Sequence, residues 1–214
     1  MNKPHGMIFV TGATGFLGSH LLYRLMQSGE PVRALIRNRA KIDSIRRIWQ
    51  TYPDPGLDRL ERVEWVDGDL LDYPVLLEQT QNISHVYHAA GWVGFDRADR
   101  RHMMEVNVTG TANLINACLQ NGSPGICHVS SIAALGDSEA GSAVDETRLW
   151  VQGSVSSAYA LSKFQGEMEA WRGYYEGLPV VIVNPSVITG PGMWEGPAGQ
   201  LLRQIEKGLP YVPP

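Results

Sequence analysis

The chain has 214 residues, of which 43% are hydrophobic and 19% are charged, and its formal net charge at pH 7 is −4. This composition is ordinary for a globular protein with one sizeable core, and the acidic balance argues against electrostatic binding of nucleic acid. No apolar run approaches the roughly 20 residues that cross a bilayer, and the amino terminus does not resemble a signal peptide, so no membrane is expected. The two cysteines, Cys118 and Cys127, form no disulfide framework, which favours a cytoplasmic location.

Short β-branched runs alternate with helical stretches along nearly the whole chain. The predicted strands are Met7–Val10, Val32–Ile36, Val63–Val66, Ile83–Tyr87, Ile126–Ser130 and Val180–Val183. The predicted helices are Phe16–Ser28, Lys41–Tyr52, Tyr73–Gln81, Arg100–Leu119, Ala158–Tyr175 and a short piece at Gly199–Lys207. Regular alternation of this kind predicts an α/β fold, a doubly wound parallel sheet with helices on both faces. The polar segment Asp137–Thr147 interrupts the pattern and is predicted to be a surface loop.

A glycine pattern lies between the first strand and the first helix, at Gly12, Gly15 and Gly18 in the segment TGATGFLG. Gly12 permits a tight turn, Gly15 lets the backbone approach a pyrophosphate, and Gly18 lets the helix pack close on the sheet. Free N–H groups at the start of the helix favour phosphate. The pattern predicts a Rossmann-type βαβ unit that binds a dinucleotide. Its spacing is G-x-x-G-x-x-G rather than the common G-x-G-x-x-G, and a glycine-rich turn without a ligand is the alternative.

Basic residues follow the second predicted strand, where NAD-binding proteins place an acid that binds the ribose 2′-hydroxyl. Arg37 stands there, with Arg39 and Lys41 close behind. A guanidinium cannot accept a hydrogen bond from a hydroxyl but matches a 2′-phosphate, so NADP is favoured and NAD is the alternative. These residues are also open to interpretation as solvated charges at the start of a helix. After the third strand, Asp69 is expected to accept from the adenine amino group and Leu70 to pack on the ring, although an acid there is also a common helix cap.

Tyr159 and Lys163 lie four residues apart on one predicted helix and therefore on one face. An ammonium beside a phenol favours the phenolate, which suits a general acid or base at a carbonyl or alcohol. Ser130 and Ser131 close the fifth strand, at the edge where open α/β sheets bind ligands. A Y-x-x-x-K spacing alone is weak, but with the glycine loop and these serines it predicts redox chemistry. We expect Ser131 to hold the substrate oxygen and Ser130 to be structural.

No metal site is expected. The chain has six histidines, of which His85 and His88 are three apart in a predicted strand and therefore face opposite ways. Neither a C-x-x-C nor an H-E-x-x-H pattern occurs.

Seven segments carry a resemblance to one superfamily. They are TGATGFLG (Thr11–Gly18), DGDL (Asp67–Leu70), HAAG (His88–Gly91), NVTGT (Asn107–Thr111), VSS (Val129–Ser131), YALSK (Tyr159–Lys163) and NPSVITGPG (Asn184–Gly192). On these residues the chain resembles the extended short-chain dehydrogenase/reductase superfamily, of the NAD-dependent epimerase/dehydratase-like type. The stretch Val32–Lys41, together with NPSVITGPG, is most similar to dihydroflavonol-reductase-like and hydroxysteroid-dehydrogenase-like members.

The resemblance implies roles for individual residues. It implies that Ser131 orients the substrate oxygen, that Tyr159 transfers the proton, and that Lys163 tunes Tyr159 and binds the nicotinamide ribose. Asn107 matches a position that supports a proton relay in many relatives, and it is equally open to a packing role here. Cofactor contacts are expected from Gly12, Thr14, Gly15, Phe16, Leu17, Gly18, Arg37, Lys41, Asp69, Leu70, Ala89, Ala90, Gly91, Lys163, Pro185, Ser186 and Val187.

The predicted function is that of an NADP-dependent oxidoreductase that moves hydride between nicotinamide and a small carbonyl or alcohol substrate. A nucleotide-sugar epimerase with bound NAD and a non-catalytic NADP sensor are the alternatives. Sugar-nucleotide dehydratases usually place an acid directly after the active-site hydroxyl, where this chain has Ile132, which argues against dehydration. The predicted domains are an NAD(P)-binding domain over residues 1–189 and, over 190–214, the start of a substrate-binding lobe that is otherwise mostly absent.

Two further expectations concern partners. Trp92, Val93 and Phe95 are equally open to lining an apolar substrate pocket and to loop packing. Relatives often dimerise through the helices that correspond to Arg100–Leu119 and Ala158–Tyr175, so a homodimer is an open option that the resemblance alone supports.

Overall fold

The computed structural model describes residues 6–94, 97–122, 125–136, 144–147, 150, 157–192, 203 and 205–208. Six strands in this part of the chain form one parallel sheet in the order β3-β2-β1-β4-β5-β6. They are β1 (Met7–Thr11), β2 (Val32–Ile36), β3 (Glu64–Asp67), β4 (Ile83–His88), β5 (Ile126–Val129) and β6 (Val180–Val183). The order runs outward in both directions from β1 and β4, so the sheet has its topological switch point between them.

Helices cover both faces of the sheet. The α-helices of the described residues are α1 (Phe16–Ser28), α2 (Ile42–Trp49), α3 (Leu57–Leu60), α4 (Tyr73–Gln79), α5 (Arg100–Met104), α6 (Gly110–Asn121) and α7 (Ala158–Tyr175). Helices α1 and α2 pack on one face, and α4 and α6 pack on the other, with α7 beside α6. The predicted Rossmann-type doubly wound fold is confirmed. None of the helices in the described residues is both long and apolar enough to span a membrane.

The core is divided by the sheet into two layers, and β1 contributes to both. Ile8 and Val10 join Trp49 in the layer under α1 and α2, whereas Phe9 points the opposite way and joins Leu114 in the layer under α4 and α6. All five side chains are at most 3% exposed. Burial of each such side chain stabilises the fold by roughly 1.5–3 kcal/mol, which fixes the strand at the centre of the sheet.

Several local features differ from the predicted elements. The helix predicted over Arg100–Leu119 contains a π-helical turn at Glu105–Thr109, between α5 and α6. Strand β5 ends at Val129, one residue before the predicted end at Ser130, because Ser131 is already the N-cap of a 3-10 helix at Ile132–Leu135. Helix α3 was not predicted. The predicted helix Gly199–Lys207 and loop Asp137–Thr147 lie largely outside the described residues.

Candidate functional site

Two adjoining clefts lie at the carboxyl ends of the strands, where doubly wound sheets bind ligands. The first cleft lies beside the loop after β1 and the ends of β2 and β3. The second cleft lies between the ends of β4, β5 and β6 and the start of α7. Ala89, Ala90 and Gly91, which follow β4, line both clefts, so the two adjoin at the switch point.

The loop after β1 is shaped by its glycines. Gly12 has a φ of 75°, and a Cβ at this position would clash with the backbone of Ala90, so the ends of β1 and β4 approach each other only because residue 12 has no side chain. A Cβ at Gly18 would clash with the Gly12 carbonyl, so Gly18 lets α1 pack closely on the loop that follows β1. Gly15 is the N-cap of α1, and no side chain caps the helix there, which leaves its N–H groups for an anion.

Two basic side chains face the first cleft. Arg37 and Lys41 line it, and Nη1 of Arg37 lies 3.6 Å from Oδ2 of Asp69. Arg39 instead donates to both carboxylate oxygens of Asp67, at 2.9 to 3.1 Å, and does not line the cleft. Of the three basic residues that follow β2 in the sequence, two are therefore placed to meet a phosphate.

The acid and the leucine that follow β3 also line the first cleft. Oδ1 of Asp69 accepts a hydrogen bond from the Leu71 N–H at 2.9 Å, so this carboxylate caps a turn with one oxygen and faces the Arg37 guanidinium with the other. Leu70 is 5% exposed and gives the cleft an apolar wall together with Val106. Asp69 therefore caps the turn and lines the cleft at the same time.

Ser131, Tyr159 and Lys163 come from separate segments, and the fold brings them to the second cleft. Helix α7 begins at Ala158 because the Ser157 side chain accepts a hydrogen bond from a backbone N–H in its first turn. Ser131 Oγ accepts from the Ala133 N–H at 3.2 Å, and this leaves the hydrogen of its hydroxyl free to be donated. The cleft therefore holds a hydroxyl donor, a phenol and an ammonium.

Lys163 is almost fully enclosed, with 7% of its surface exposed. Its Nζ donates a hydrogen bond to the Val129 carbonyl at 2.8 Å, which fixes the ammonium at the end of β5. Burial lowers the pKa of Lys163 to about 8, and the negative charge of Glu167 partly opposes that shift. At pH 7 the side chain therefore remains mostly charged.

Asn107 lies in the π-helical turn and is 4% exposed. Its Oδ1 accepts from the Trp92 N–H at 2.7 Å, and its Nδ2 donates to the Trp92 carbonyl at 3.0 Å and to Ser162 Oγ at 2.9 Å. These bonds use both amide hydrogens and the amide oxygen. Asn107 therefore links the segment after β4 to helix α7, and these contacts support the packing alternative for this residue.

Most of the predicted cofactor residues line one cleft or the other, but three do not. Gly18 is packed against Gly12, as described above. The Phe16 ring lies beside Gly190 and edge-on to His20 at a centroid distance of 4.9 Å, and it lines neither cleft. Val187 is 62% exposed to solvent, while its neighbours on both sides line the second cleft.

An apolar wall borders the second cleft. Leu17, Trp92, Val93 and Ile188 contribute it, and the Trp92 ring is held edge-on to His102 at a centroid distance of 4.5 Å. The pocket-lining interpretation of Trp92 and Val93 therefore has geometric support, whereas Phe95 lies outside the described residues.

A hydrogen-bonded histidine lies at the end of β4, and sequence reasoning gave it no role. Thr111 donates its hydroxyl hydrogen to the Asn107 carbonyl at 2.7 Å, so it accepts from Nε2 of His88 at 2.9 Å. Nδ1 of His88 then accepts from the Thr11 hydroxyl at 2.6 Å. Burial lowers the pKa of His88 to about 3, which keeps the ring neutral.

His128 on β5 lies beside His88, with ring centroids 5.1 Å apart. It is 2% exposed, and neither ring nitrogen has a hydrogen-bond partner in the described part of the chain. Burial lowers the pKa of His128 well below its usual value. Among the described residues, no group of three or more His, Cys, Asp or Glu side chains is arranged to hold a metal ion.

Glu167 is a buried carboxylate on α7, and sequence reasoning missed it. It is 8% exposed and accepts hydrogen bonds from Ser130 Oγ at 2.6 Å and from Asn184 Nδ2 at 2.8 Å. The available signal was its spacing, because Tyr159, Lys163 and Glu167 recur every four residues on one helix face. Ser130 is thus engaged by a structural hydrogen bond, in line with the role expected for it.

Comparison with known proteins identifies relatives along nearly the whole chain. Residues 10–205 match the model of an NAD-binding family described as male sterility protein. The chain is 34% identical to a putative dihydroflavonol 4-reductase from Synechocystis sp., over 95% of this chain and 56% of that protein. The crystal structure of gox2253 is similar with a TM-score of 0.78 and 33% identity, over 94% of this chain and 58% of that one.

A dTDP-glucose 4,6-dehydratase from Streptomyces venezuelae, solved with NAD bound, is also similar. Its TM-score is 0.70 at 26% identity, and the match covers 94% of this chain and 62% of that one. The chain therefore spans between half and two thirds of the length of these relatives.

Proposed function

The chain belongs to the NAD-binding family described as male sterility protein, within the extended short-chain dehydrogenase/reductase superfamily, and on that premise we propose that it is an NADP-dependent oxidoreductase. It transfers hydride between nicotinamide and a small carbonyl or alcohol substrate. The observation that carries the proposal is that the two clefts share a wall, with one beside the glycine loop and the other lined by Ser131, Tyr159 and Lys163.

The residues of the first cleft fit the phosphates of NADP. The side-chain-free turn at Gly12 and the uncapped start of α1 at Gly15 suit the pyrophosphate. Arg37 and Lys41 suit the 2′-phosphate that distinguishes NADP from NAD, and the segment RNRAK that holds them contains no acid to accept from a ribose hydroxyl. Leu70 offers an apolar surface to the adenine ring.

The side chains of the second cleft suit proton transfer beside a nicotinamide. The cofactor supplies or accepts the hydride. Ser131 donates its hydroxyl hydrogen to the substrate oxygen, since its own oxygen already accepts from the backbone. Tyr159 gives its phenolic proton to that oxygen in reduction and takes one from it in oxidation. Lys163, charged and nearly buried, stabilises the phenolate on Tyr159, and its enclosure strengthens the attraction by excluding water.

The domain division and the substrate class are part of the same proposal. Every described residue that lines a cleft precedes residue 190, which supports an NAD(P)-binding domain over residues 1–189 and a substrate lobe that begins within 190–214. The apolar wall at Leu17, Trp92 and Ile188 favours a substrate with an apolar body next to its carbonyl.

We also propose a cytoplasmic homodimer. Met168, Trp171 and Tyr174 lie on one side of α7 and are 40% to 50% exposed, which is apolar surface that a second copy would cover. With two cysteines in 214 residues the chain offers no disulfide framework, which suits a reducing compartment. Sedimentation over a range of protein concentrations tests the dimer, and a monomer at all of them would contradict it.

The experiment that tests the function follows NADPH oxidation with a panel of aldehydes and ketones, with NADH in parallel. Turnover with NADPH that disappears in Tyr159→Phe is the expected result. NAD that stays bound through purification, with interconversion of nucleotide sugars, would instead support the epimerase. NADPH binding without turnover of any carbonyl would overturn the enzymatic proposal and indicate a sensor.

A further inference from the structure

Glu167 is a buried ionisable group that the proposed proton transfer does not use. It lies one turn after Lys163 on α7, at the same four-residue spacing that separates Lys163 from Tyr159. Burying a carboxylate until it is 8% exposed costs free energy unless hydrogen bonds or an opposite charge compensate it. Two features of its surroundings provide that compensation.

The first feature is the set of hydrogen bonds of Glu167, which reach the ends of two strands. One carboxylate oxygen, Oε2, accepts from both Ser130 Oγ and Asn184 Nδ2. Asn184 follows β6, and its second amide hydrogen goes to the carbonyl of Ser131 at 3.2 Å. Helix α7 therefore holds the backbone of Ser131 through a chain of two hydrogen bonds, and it holds the preceding residue directly.

The second feature is the charge that Glu167 places in the surroundings of Lys163. The titratable groups near Lys163 are Tyr159 and Glu167 on α7, His88 on β4 and His128 on β5. Both histidines are neutral, so the carboxylate is the one negative charge that these groups contribute. It raises the pKa of Lys163 against the effect of burial.

We propose that Glu167 is a positioning residue of this site, whose buried carboxylate holds the backbone of Ser131 in place through Asn184 and compensates the charge of Lys163. The identity of the site rests on the proposed function. Both effects exist in the protein without cofactor, so they are measurable whether or not the chain turns over a substrate.

Two variants separate the hydrogen bonds from the charge. In Glu167→Gln, an amide oxygen at the position of Oε2 still accepts from Ser130 and Asn184, while the negative charge and the long bond from Trp171 Nε1 to Oε1 are lost. In Asn184→Ala the charge stays, but the link to the Ser131 carbonyl is broken. Glu169→Gln is the matched control, because it removes the same charge from α7 at a residue that pairs with Arg172.

The test measures the Lys163 side chain and the Ser131 segment in cofactor-free protein. The chain has four lysines (Lys3, Lys41, Lys163 and Lys207), so the 13Cε signal of Lys163 is readily assigned and titrated by NMR. We expect the pKa of Lys163 to fall by about 1 in Glu167→Gln and to stay unchanged in Glu169→Gln and Asn184→Ala. We expect amide hydrogen exchange at Ala133 and Ala134 to accelerate roughly fivefold or more in Asn184→Ala.

An unchanged pKa of Lys163 in folded Glu167→Gln would overturn the electrostatic half of the proposal, and unchanged exchange in Asn184→Ala would overturn the anchoring half. If Glu167→Gln does not fold, Ser130→Ala joins Asn184→Ala: the first removes one hydrogen bond to the carboxylate, the second removes another together with the bond to the Ser131 carbonyl, and both keep the charge. Slow exchange at Ala133 and Ala134 in both would then overturn the proposal. If the wild type shows no turnover, the proposed oxidoreductase function is refuted. The NMR titration and the hydrogen exchange on cofactor-free protein still test the role of Glu167.

Discussion

Arg37 and Asp69 form an ion pair at the mouth of the first cleft, with Nη1 of the arginine 3.6 Å from Oδ2 of the acid. The side chains are 48% and 40% exposed, so the pair contributes at most about 1 kcal/mol to stability. The ion pair matters because it sets the direction of the Arg37 side chain. Asp69 is itself fixed by the Leu71 N–H, and it holds the guanidinium beside the cleft rather than in open solvent.

Arg37→Asp should shift the preference from NADP toward NAD. The variant replaces a side chain that can donate two hydrogen bonds to the 2′-phosphate with a carboxylate, which repels that phosphate. Loss of a charge-assisted hydrogen bond corresponds to a roughly 10- to 100-fold weaker Kd for NADPH. NADH binding should be retained or improved. Fluorescence titration of both cofactors measures the ratio, with Arg37→Gln and Arg39→Gln as a matched pair, because Arg39 is engaged by Asp67. Equal effects of these two glutamine variants would remove Arg37 from the cofactor site.

Tyr159→Phe should abolish turnover and leave cofactor binding intact. The substitution removes only the phenolic oxygen, so the proton donor is lost while the cleft keeps its shape, and a fall in kcat of about 100- to 10,000-fold is expected. Steady-state kinetics and NADPH titration on the same preparation measure the two effects. Tyr175→Phe is the control, since that side chain is 82% exposed at the end of α7. Turnover that survives in Tyr159→Phe would end the proton-transfer role.

Gly18→Ala should disturb the phosphate loop. The added Cβ meets the Gly12 carbonyl oxygen, which is backbone and cannot rotate aside, so the loop or the start of α1 must move. Weaker NADPH binding by at least about tenfold and a lower free energy of unfolding are expected. Gly29→Ala provides the comparison: its φ of 79° costs stability, but a Cβ there meets nothing within 4 Å, so cofactor binding should persist. Unchanged cofactor binding in Gly18→Ala would contradict the assigned role.

Acid should destabilise the fold from just below pH 6.5 because of the two buried histidines. Burial lowers the pKa of His88 to about 3 and that of His128 well below its usual value of 6.5, so the unfolded chain takes up protons before the folded one does. The stabilisation is complete above the unfolded pKa and declines as pH falls toward the folded pKa. Between pH 7.5 and pH 5, His88 alone should account for a loss of about 2 kcal/mol.

Urea unfolding at pH 7.5 and pH 5 measures this loss. His128→Leu should reduce it, and at pH 7.5 should leave the free energy of unfolding unchanged or higher, because two unpartnered nitrogens are removed. The exposed His85 provides the control, since His85→Leu should leave the pH dependence as in the wild type. An equal loss in His128→Leu and the wild type would show that His128 is not among the responsible groups.

The fold was predictable because its signals are local and periodic. The bounds of α1, α7 and β6 match the predicted ones, since each begins or ends at a residue with a plain preference, such as Ser157 before α7 and Gly29 after α1. The π-helical turn around Asn107 was not predicted, because one extra residue in a turn scarcely changes the apolar spacing. Nor was the 3-10 helix after Ser131, whose four residues are too few for a period.

The site was predictable where its residues belong to motifs, and not where they act through tertiary contacts. The glycine loop and the Tyr159–Lys163 pair could be identified from spacing alone. Arg39 seemed equivalent to Arg37 in the sequence, and only the position of Asp67 on the neighbouring strand separates them. Glu167 meets Asn184 and Ser130, which lie 17 and 37 residues away at two strand ends, so no local pattern describes those two contacts.

A crystal structure of the chain with NADPH tests the central claim most directly, because the claim is that one dinucleotide spans both clefts. The expected result places the 2′-phosphate within hydrogen-bond distance of Arg37 and the nicotinamide in the cleft where Ser131 and Tyr159 present their hydroxyls. A nicotinamide bound away from those two hydroxyls, or a cofactor that leaves the glycine loop untouched, would contradict it.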